Sequence, residues 1–245
     1  WPNWEIVLVE NNSTEEATFR YYDELKADGR IRLVTYQGSF NFSAINNLGA
    51  SHARGEYLLL LNNDTEVITP DWIERMLMFA QRRDVGAVGC MLYYPDDTVQ
   101  HAGVILGLGG IAGHAHKRFK RGEYGFMSRL AIAQNLTAVT AACAMFRRDV
   151  WDQMGGLEES LAVAFNDVDL CMRIRQAGYL VVWTPFAELY HYESRSRGKE
   201  NTLDKQQRFN GEIEFFRQRW QRELDAGDPY YNPNLSLRRE NFSLR

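Results

Sequence analysis

Leu59-Leu60-Leu61-Asn62-Asn63-Asp64 decides how this chain is read: an apolar, strand-like run stops abruptly in two amides and a carboxylate. A continuous apolar run is what a strand looks like when helices cover both faces of its sheet. Ligands of such sheets bind beyond the carboxyl ends of the strands, and this triplet stands where the strand stops. An Asn/Asp turn that simply caps the strand accounts for the same residues, so the triplet alone leaves both readings open.

Outward from it, strand and helix signals alternate. Glu5 to Val9 is a short apolar strand leading into Glu10-Asn11-Asn12-Ser13-Thr14-Glu15-Glu16, where Ser13 and Glu16 have the spacing of a capping box. Phe19, Tyr22 and Leu25, about a turn apart, predict a helix through Lys26 that stops near Gly29. Ile31 to Val34 is the next strand, and a helix from after Asn41 to about Ala53 precedes Tyr57 to Leu61. Thr69-Pro70 caps a helix whose inner face is Ile73, Met76, Leu77 and Ala80, and Val85 to Cys90 is a further strand. This βαβα order predicts a mostly parallel central sheet with helices on both faces.

The second half is less regular. Residues 95 to 135 carry Gly107, Gly109, Gly110, Gly113, Gly122 and Gly125 with little periodicity, which predicts a mobile loop over Gly107 to Gly125, poorly ordered without ligand. Thr140 to Phe146 is a buried strand, and Arg148 to Met154 a short helix ended by Gly155-Gly156. Phe209, Ile213, Phe216 and Trp220 trace one face of a long helix, and the tail from Asp228 is expected to lie extended on the domain.

Composition narrows the class. The 245 residues are 45% hydrophobic and 24% charged with net charge −4, an ordinary globular balance that excludes a nucleic-acid surface. Cys90, Cys143 and Cys171 have no paired spacing and read as reduced, buried thiols of a cytoplasmic protein. No apolar run approaches the ~20 residues that cross a bilayer. The chain opens Trp1-Pro2 without methionine, which reads as the start of a fragment.

Two further stations join the first triplet. Phe165-Asn166-Asp167-Val168-Asp169 opens a helix expected over Asp167 to Ala177, capped by Asn166, whose first turn the helix dipole favours for acids. Asp167 and Asp169, two apart, do not share a helix face. Tyr190-His191-Tyr192-Glu193-Ser194-Arg195-Ser196-Arg197-Gly198 follows a strand and ends in donors suited to phosphate. His191 alone is equally a structural histidine. His114 and His116 have same-face spacing if extended, but their place favours a loop role over a second metal site.

The order and wording of these stations resemble the inverting glycosyltransferases of family 2, which have the GT-A fold; rhamnosyl- and galactofuranosyl-transferring members look most similar around Asn62 to Thr65 and Ser194 to Arg197. Gly155-Gly156-Leu157-Glu158-Glu159 is similar to the family's Gly-Gly-Phe-Asp-Glu, so the resemblance covers nearly the whole chain. It implies one catalytic domain over residues 1–245, with a nucleotide-binding half to about 95, an acceptor half to about 225 and a tail from 226. It implies Asp64 and His191 at a Mg²⁺ or Mn²⁺ ion, Asp167 as catalytic base, and Asn11, Asn47, Asn62, Asn63, Arg195 and Arg197 around the nucleotide-sugar. The donor is expected to be of UDP or dTDP type, and the acceptor a saccharide or lipid-linked molecule of bacterial surface polysaccharide synthesis. The expected place is the cytoplasm, with peripheral contact at the inner membrane face, to which the run Lys117 to Arg121 contributes.

The chain departs from the pattern at three points. Asn62 and Asn166 stand where the family usually has acids, and the first strand, which normally ends in Pro-x-Tyr-Asn, has no counterpart. Two other classes therefore stay open: a sugar nucleotidyltransferase, and a non-catalytic nucleotide-sugar-binding domain of a larger enzyme.

Overall fold

The computed structural model describes residues 2–193 and 202–245. In chain order the elements are β1 (Ile6–Glu10), α1 (Glu16–Leu25), β2 (Ile31–Thr35), α2 (Phe42–His52), β3 (Tyr57–Leu61), β4 (Thr65–Val67), α3 (Trp72–Ala80) and β5 (Val85–Tyr93). They continue as β6 (Val99–His101), β7 (Val104–Leu106), β8 (Ala112–His114), β9 (Gln134–Asn135), β10 (Cys143–Arg147), α4 (Arg148–Met154), α5 (Asn166–Gln176), β11 (Leu180–His191) and α6 (Leu203–Ala226).

The main sheet has the order β3-β10-β5-β11-β4, with β6 added on β5 and β9 on β11. Its parallel character is partial. β5 and β11 are parallel, but β10 runs antiparallel to both β3 and β5, and β4 is antiparallel to β11. β1 and β2 pair in parallel as a separate two-stranded sheet.

β5 explains the layering. All nine of its residues are buried. Val88, Cys90 and Leu92 face one side with Trp72, Met76 and Ala80 of α3, while Ala87, Met91 and Tyr93 face the other with Leu170 and Ile174 of α5 and Phe216 and Trp220 of α6. A strand covered on both faces alternates between two cores rather than between core and water. At Gly89 an added Cβ would lie 2.4 Å from the Val139 side chain, so the close approach of that segment requires glycine. Pro185 is accommodated because β11 carries an irregularity between Thr184 and Glu188, where the ladder to β5 is interrupted.

Several local signals resolve differently. Ser13 does not cap α1; its backbone N–H and hydroxyl both donate to Glu10, at 2.6 Å each. Asn166 does not cap α5 either, because it is the helix's first residue and its amide turns back to the carbonyls of Leu161 and Val163, both at 3.2 Å. The expected mobile loop over Gly107 to Gly125 is packed structure instead: β7 and β8 form a hairpin, and the tail covers it. The Asp228 carboxylate accepts the Leu106 N–H at 2.7 Å, and Phe242 stacks on His116 with ring centroids 4.2 Å apart. The tail lies on the domain as expected, but it is not extended: it turns back on itself, with Leu235 bridging Leu244 in antiparallel fashion. The basic run is also partly neutralised, since Arg118 pairs with Asp96 at 3.2 Å and Arg121 with Glu188 at 2.9 Å.

Candidate functional site

Strand register builds the first half of the site. β11 pairs with β4 so that His191 stands opposite Thr65, and the next residue, Tyr192, donates its N–H to the Asp64 carbonyl at 2.9 Å. That register sets the His191 ring beside the turn after β3. Its Nε2 lies 3.1 Å from Asp64 Oδ1 and 3.2 Å from Asn62 Nδ2.

Gln100, on β6, decides the tautomer. Its Nε2 donates to the His191 carbonyl at 3.2 Å and to Glu193 Oε2 at 3.3 Å, so its Oε1 is the atom facing His191 Nδ1, at 2.7 Å. An amide oxygen accepts, hence Nδ1 of His191 carries a proton. Nε2 lies between Asn62 Nδ2 and Asp64 Oδ1: a neutral ring accepts from the asparagine there and has a lone pair that a cation could share with the carboxylate, whereas a protonated ring pairs with Asp64 directly. Among the described residues no third His, Cys, Asp or Glu completes a metal cluster.

The second half is Asp167, in the first turn of α5. Its Oδ1 accepts the Val168 N–H at 2.8 Å and its Oδ2 the Ala141 N–H at 3.1 Å. Burial pushes its carboxyl above the usual range, against the lowering effect of those two N–H groups and of the Thr140 hydroxyl. A carboxylate that holds protons more tightly than usual is a better base, and Asp167 keeps part of its surface open. Just before it, Phe165 adopts a left-handed φ of 63°.

One irregular turn joins the two halves. Ala141 N–H holds Asp167, while the Ala142 carbonyl accepts the Asn62 N–H at 2.9 Å. Asp64, Asn62, His191 and Asp167 are therefore brought together. Asp169 is not: fully buried, it accepts from Arg173 Nε at 2.8 Å and Trp220 Nε1 at 2.9 Å, and ties α5 to α6.

The remaining expected residues divide. Asn63 is exposed in the turn itself. Asn11 donates its amide to the carbonyls of Tyr36 and Gly38, at 3.2 and 3.0 Å. Asn47 is held at both ends of its amide by Leu157, donating to its carbonyl at 2.9 Å and accepting its N–H at 2.8 Å, which makes it a clamp on the Gly156 turn. It lines a cleft of about 350 Å³ with Glu158, Glu159, Arg173 and Arg219, which contains none of Asn62, Asp64, Asp167 and His191. Arg195 and Arg197 lie outside the described residues. Gln100 and His101, which sequence reasoning passed over, are buried polar residues that make up two of the three residues of β6, a strand too short to carry a sequence signal.

The profile described as Glycosyl transferase family 2 matches residues 1–155 of this chain. The chain belongs to glycosyltransferase family 2. It is 48% identical over 99% of its length to an uncharacterised protein, y4gI, of Sinorhizobium fredii, and 39% identical over all of its length to the O-antigen biosynthesis protein RfbC of Myxococcus xanthus. The family 2 chain spans only 27% and 19% of those proteins. In shape it matches the crystal structure of GalNAc-T7 with UDP, GalNAc and Mn²⁺ at a TM-score of 0.64, with 14% identity, over 90% of this chain and 43% of that one. The fold of this family 2 domain is GT-A.

Proposed function

We propose that this domain transfers a sugar from a nucleotide-diphosphate donor to an acceptor hydroxyl with inversion at the anomeric carbon. The observation that carries the proposal is the approach of Asp64 Oδ1 to Nε2 of His191 at 3.1 Å, beside the 140–142 turn whose Ala141 N–H holds the Asp167 carboxylate. Asp64 and His191 would hold Mg²⁺ or Mn²⁺, and a cation there supplies charge neutralisation for a leaving diphosphate.

Asp167 takes the proton of the acceptor hydroxyl as its oxygen attacks the sugar from the face opposite the diphosphate. The N–H groups of Val168 and Ala141 keep the carboxylate aimed through that transfer. Asn63 contributes to the donor site from its exposed turn. At Asn11 the donor half of the amide is spent on the chain, so its Oδ1 is left to accept from a pyrimidine edge, which suits uracil or thymine. Residues 1–245 act as one catalytic unit.

The likeness to an O-antigen biosynthesis protein supports a role in bacterial surface polysaccharide assembly, with a saccharide or lipid-linked acceptor. A cytoplasmic site of action follows from the use of nucleotide-sugars, and no helix among the described residues is long and apolar enough to cross a membrane. Calorimetric titration of UDP and dTDP, with and without Mn²⁺, tests the reading. Binding that strengthens with Mn²⁺ in the native domain, but not in Asp64→Ala, is the expected result. Nucleotide binding indifferent to the metal overturns the Asp64–His191 assignment.

A further inference from the structure

The turn that holds Asp167 has no ladder partner of its own, so its hydrogen bonds must be accounted for one by one. Ala141 N–H goes to Asp167 and the Ala142 carbonyl to Asn62. The third backbone group, Thr140 N–H, donates to His101 Nε2 at 3.3 Å. His101 is completely buried at the end of β6.

The tautomers follow in order. His101 Nε2 accepts, so a neutral His101 carries its proton on Nδ1. That atom lies 2.8 Å from Nδ1 of His114, across the β7–β8 hairpin. Two imidazole nitrogens at that distance need one donor and one acceptor, so His101 donates, His114 accepts, and the His114 proton sits on Nε2. The alternative tautomer of His101 would point an N–H at the Thr140 N–H. Burial holds His101 far below the usual histidine range, and desolvation with the nearby Lys117 charge holds His114 at about 4. Both rings are therefore neutral at physiological pH, and the arrangement is single-valued.

We propose that His101 is a positioning residue for Asp167: its ring, fixed in one tautomer by His114, anchors the 140–142 turn so that Ala141 N–H meets the carboxylate. The inference rests on Asp167 being the base, and it assigns a task to the glycine-rich hairpin that carries His114. The hairpin is an outer support of the catalytic carboxylate, reaching it through two rings and one peptide. The titratable neighbour on the other side of Asp167 is the Cys171 thiol, pushed up to about 12 by burial, which stays neutral alongside it.

The test reads Asp167 directly. The ¹³Cγ resonance of Asp167, assigned by its loss in Asp167→Asn, is titrated in the native domain, His101→Ala and His101→Gln. Losing the turn's anchor weakens the Ala141 N–H bond, so in His101→Ala the Asp167 pKa rises by roughly half to one pH unit. Turnover should fall on the order of 10- to 100-fold with donor KM within about twofold. His101→Gln, which offers an oxygen to Thr140 N–H, should restore most of both. Should His101→Ala fail to fold, His114→Ala against His114→Asn repeats the comparison from the other ring. An Asp167 titration unmoved in a folded His101→Ala, or a glutamine no better than alanine, overturns the inference while leaving the base in place. If instead the titration moves but Asp167→Asn retains turnover, the base assignment falls and the anchoring of the carboxylate stands.

Discussion

Asp167→Asn and Asp169→Asn, two residues apart on one helix, should separate chemistry from stability. Asp169 is fully buried and accepts from Arg173 Nε at 2.8 Å and Trp220 Nε1 at 2.9 Å, with Arg219 Nη1 at 3.4 Å. An asparagine keeps the volume but removes the charge, and its NH₂ must face at least one of those donors. Breaking one side of a buried pair costs about 3–5 kcal/mol. The Arg173 guanidinium keeps its bonds to the Met154 and Gly156 carbonyls, so the lower end of that range applies. About 3 kcal/mol corresponds to a Tm lower by roughly 6–12 °C for a domain of this size.

Asp167 has the opposite sign. Burial raises its folded-state pKa, so the folded state favours its protonated form, and that stability is lost as pH rises through the raised pKa. At neutral pH the ionised carboxylate is a burden on the fold, which a neutral asparagine relieves. Its NH₂ must still face the Val168 or the Ala141 N–H, so Asp167→Asn should stay within about 1 kcal/mol of the native domain, while transfer falls by about 10²–10⁴-fold with the loss of the base. Urea unfolding followed by tryptophan fluorescence at pH 7, beside a transfer assay, decides the matter. Equal destabilisation by the two substitutions, or an Asp169→Asn as stable as the native domain, refutes the division of labour.

Gln100→Met keeps bulk but frees the His191 ring, and Mn²⁺ affinity in calorimetry should drop by about 10–100-fold, as for other outer-sphere partners of a metal histidine. Phe242→Ala removes the ring stacked on His116 and Phe126, so limited proteolysis should begin to cut between Gly107 and Gly125, where the native domain resists.

Much of the scaffold was legible because it depends on period and burial. The Leu59–Leu61 run, the Met76 and Ala80 face, the Arg148–Met154 helix with its Gly155 stop and the Phe216–Trp220 face each carry their own pattern. β10 escaped in direction rather than existence: a strand's sequence does not say which way it runs when both faces are buried. The hairpin β7–β8 was missed because its apolar residues meet the tail more than a hundred residues later, a contact no local period encodes. Within the candidate site, Asp64, Asp167 and His191 stood out by their surroundings in sequence and by the family resemblance. Gln100 and His101 did not, since their meaning comes only from the atoms they face.

The two asparagines that depart from the family pattern, Asn62 and Asn166, are best understood from what surrounds them. Asn166 is 2% exposed, and its Nδ2 donates to the carbonyl oxygens of Leu161 and Val163. A carboxylate there would face two acceptors with no donor to offer, so in this chain the position serves to hold the 161–163 loop. Asn62 is different: partly exposed, its amide reaches His191 Nε2, an atom that must release that bond to serve a cation. The same substitution, asparagine to aspartate, should then give contrasting results. Asn166→Asp should lose about 1–3 kcal/mol or more, the cost of a buried polar group without partners, and lose it more steeply as pH rises and the new acid ionises. Asn62→Asp should leave unfolding nearly unchanged while Mn²⁺ binds more tightly, since a second negative oxygen joins Asp64. Should Asn166→Asp prove as stable as the native domain, the asparagine is not a structural replacement, and position 166 becomes a candidate for contact with the substrate.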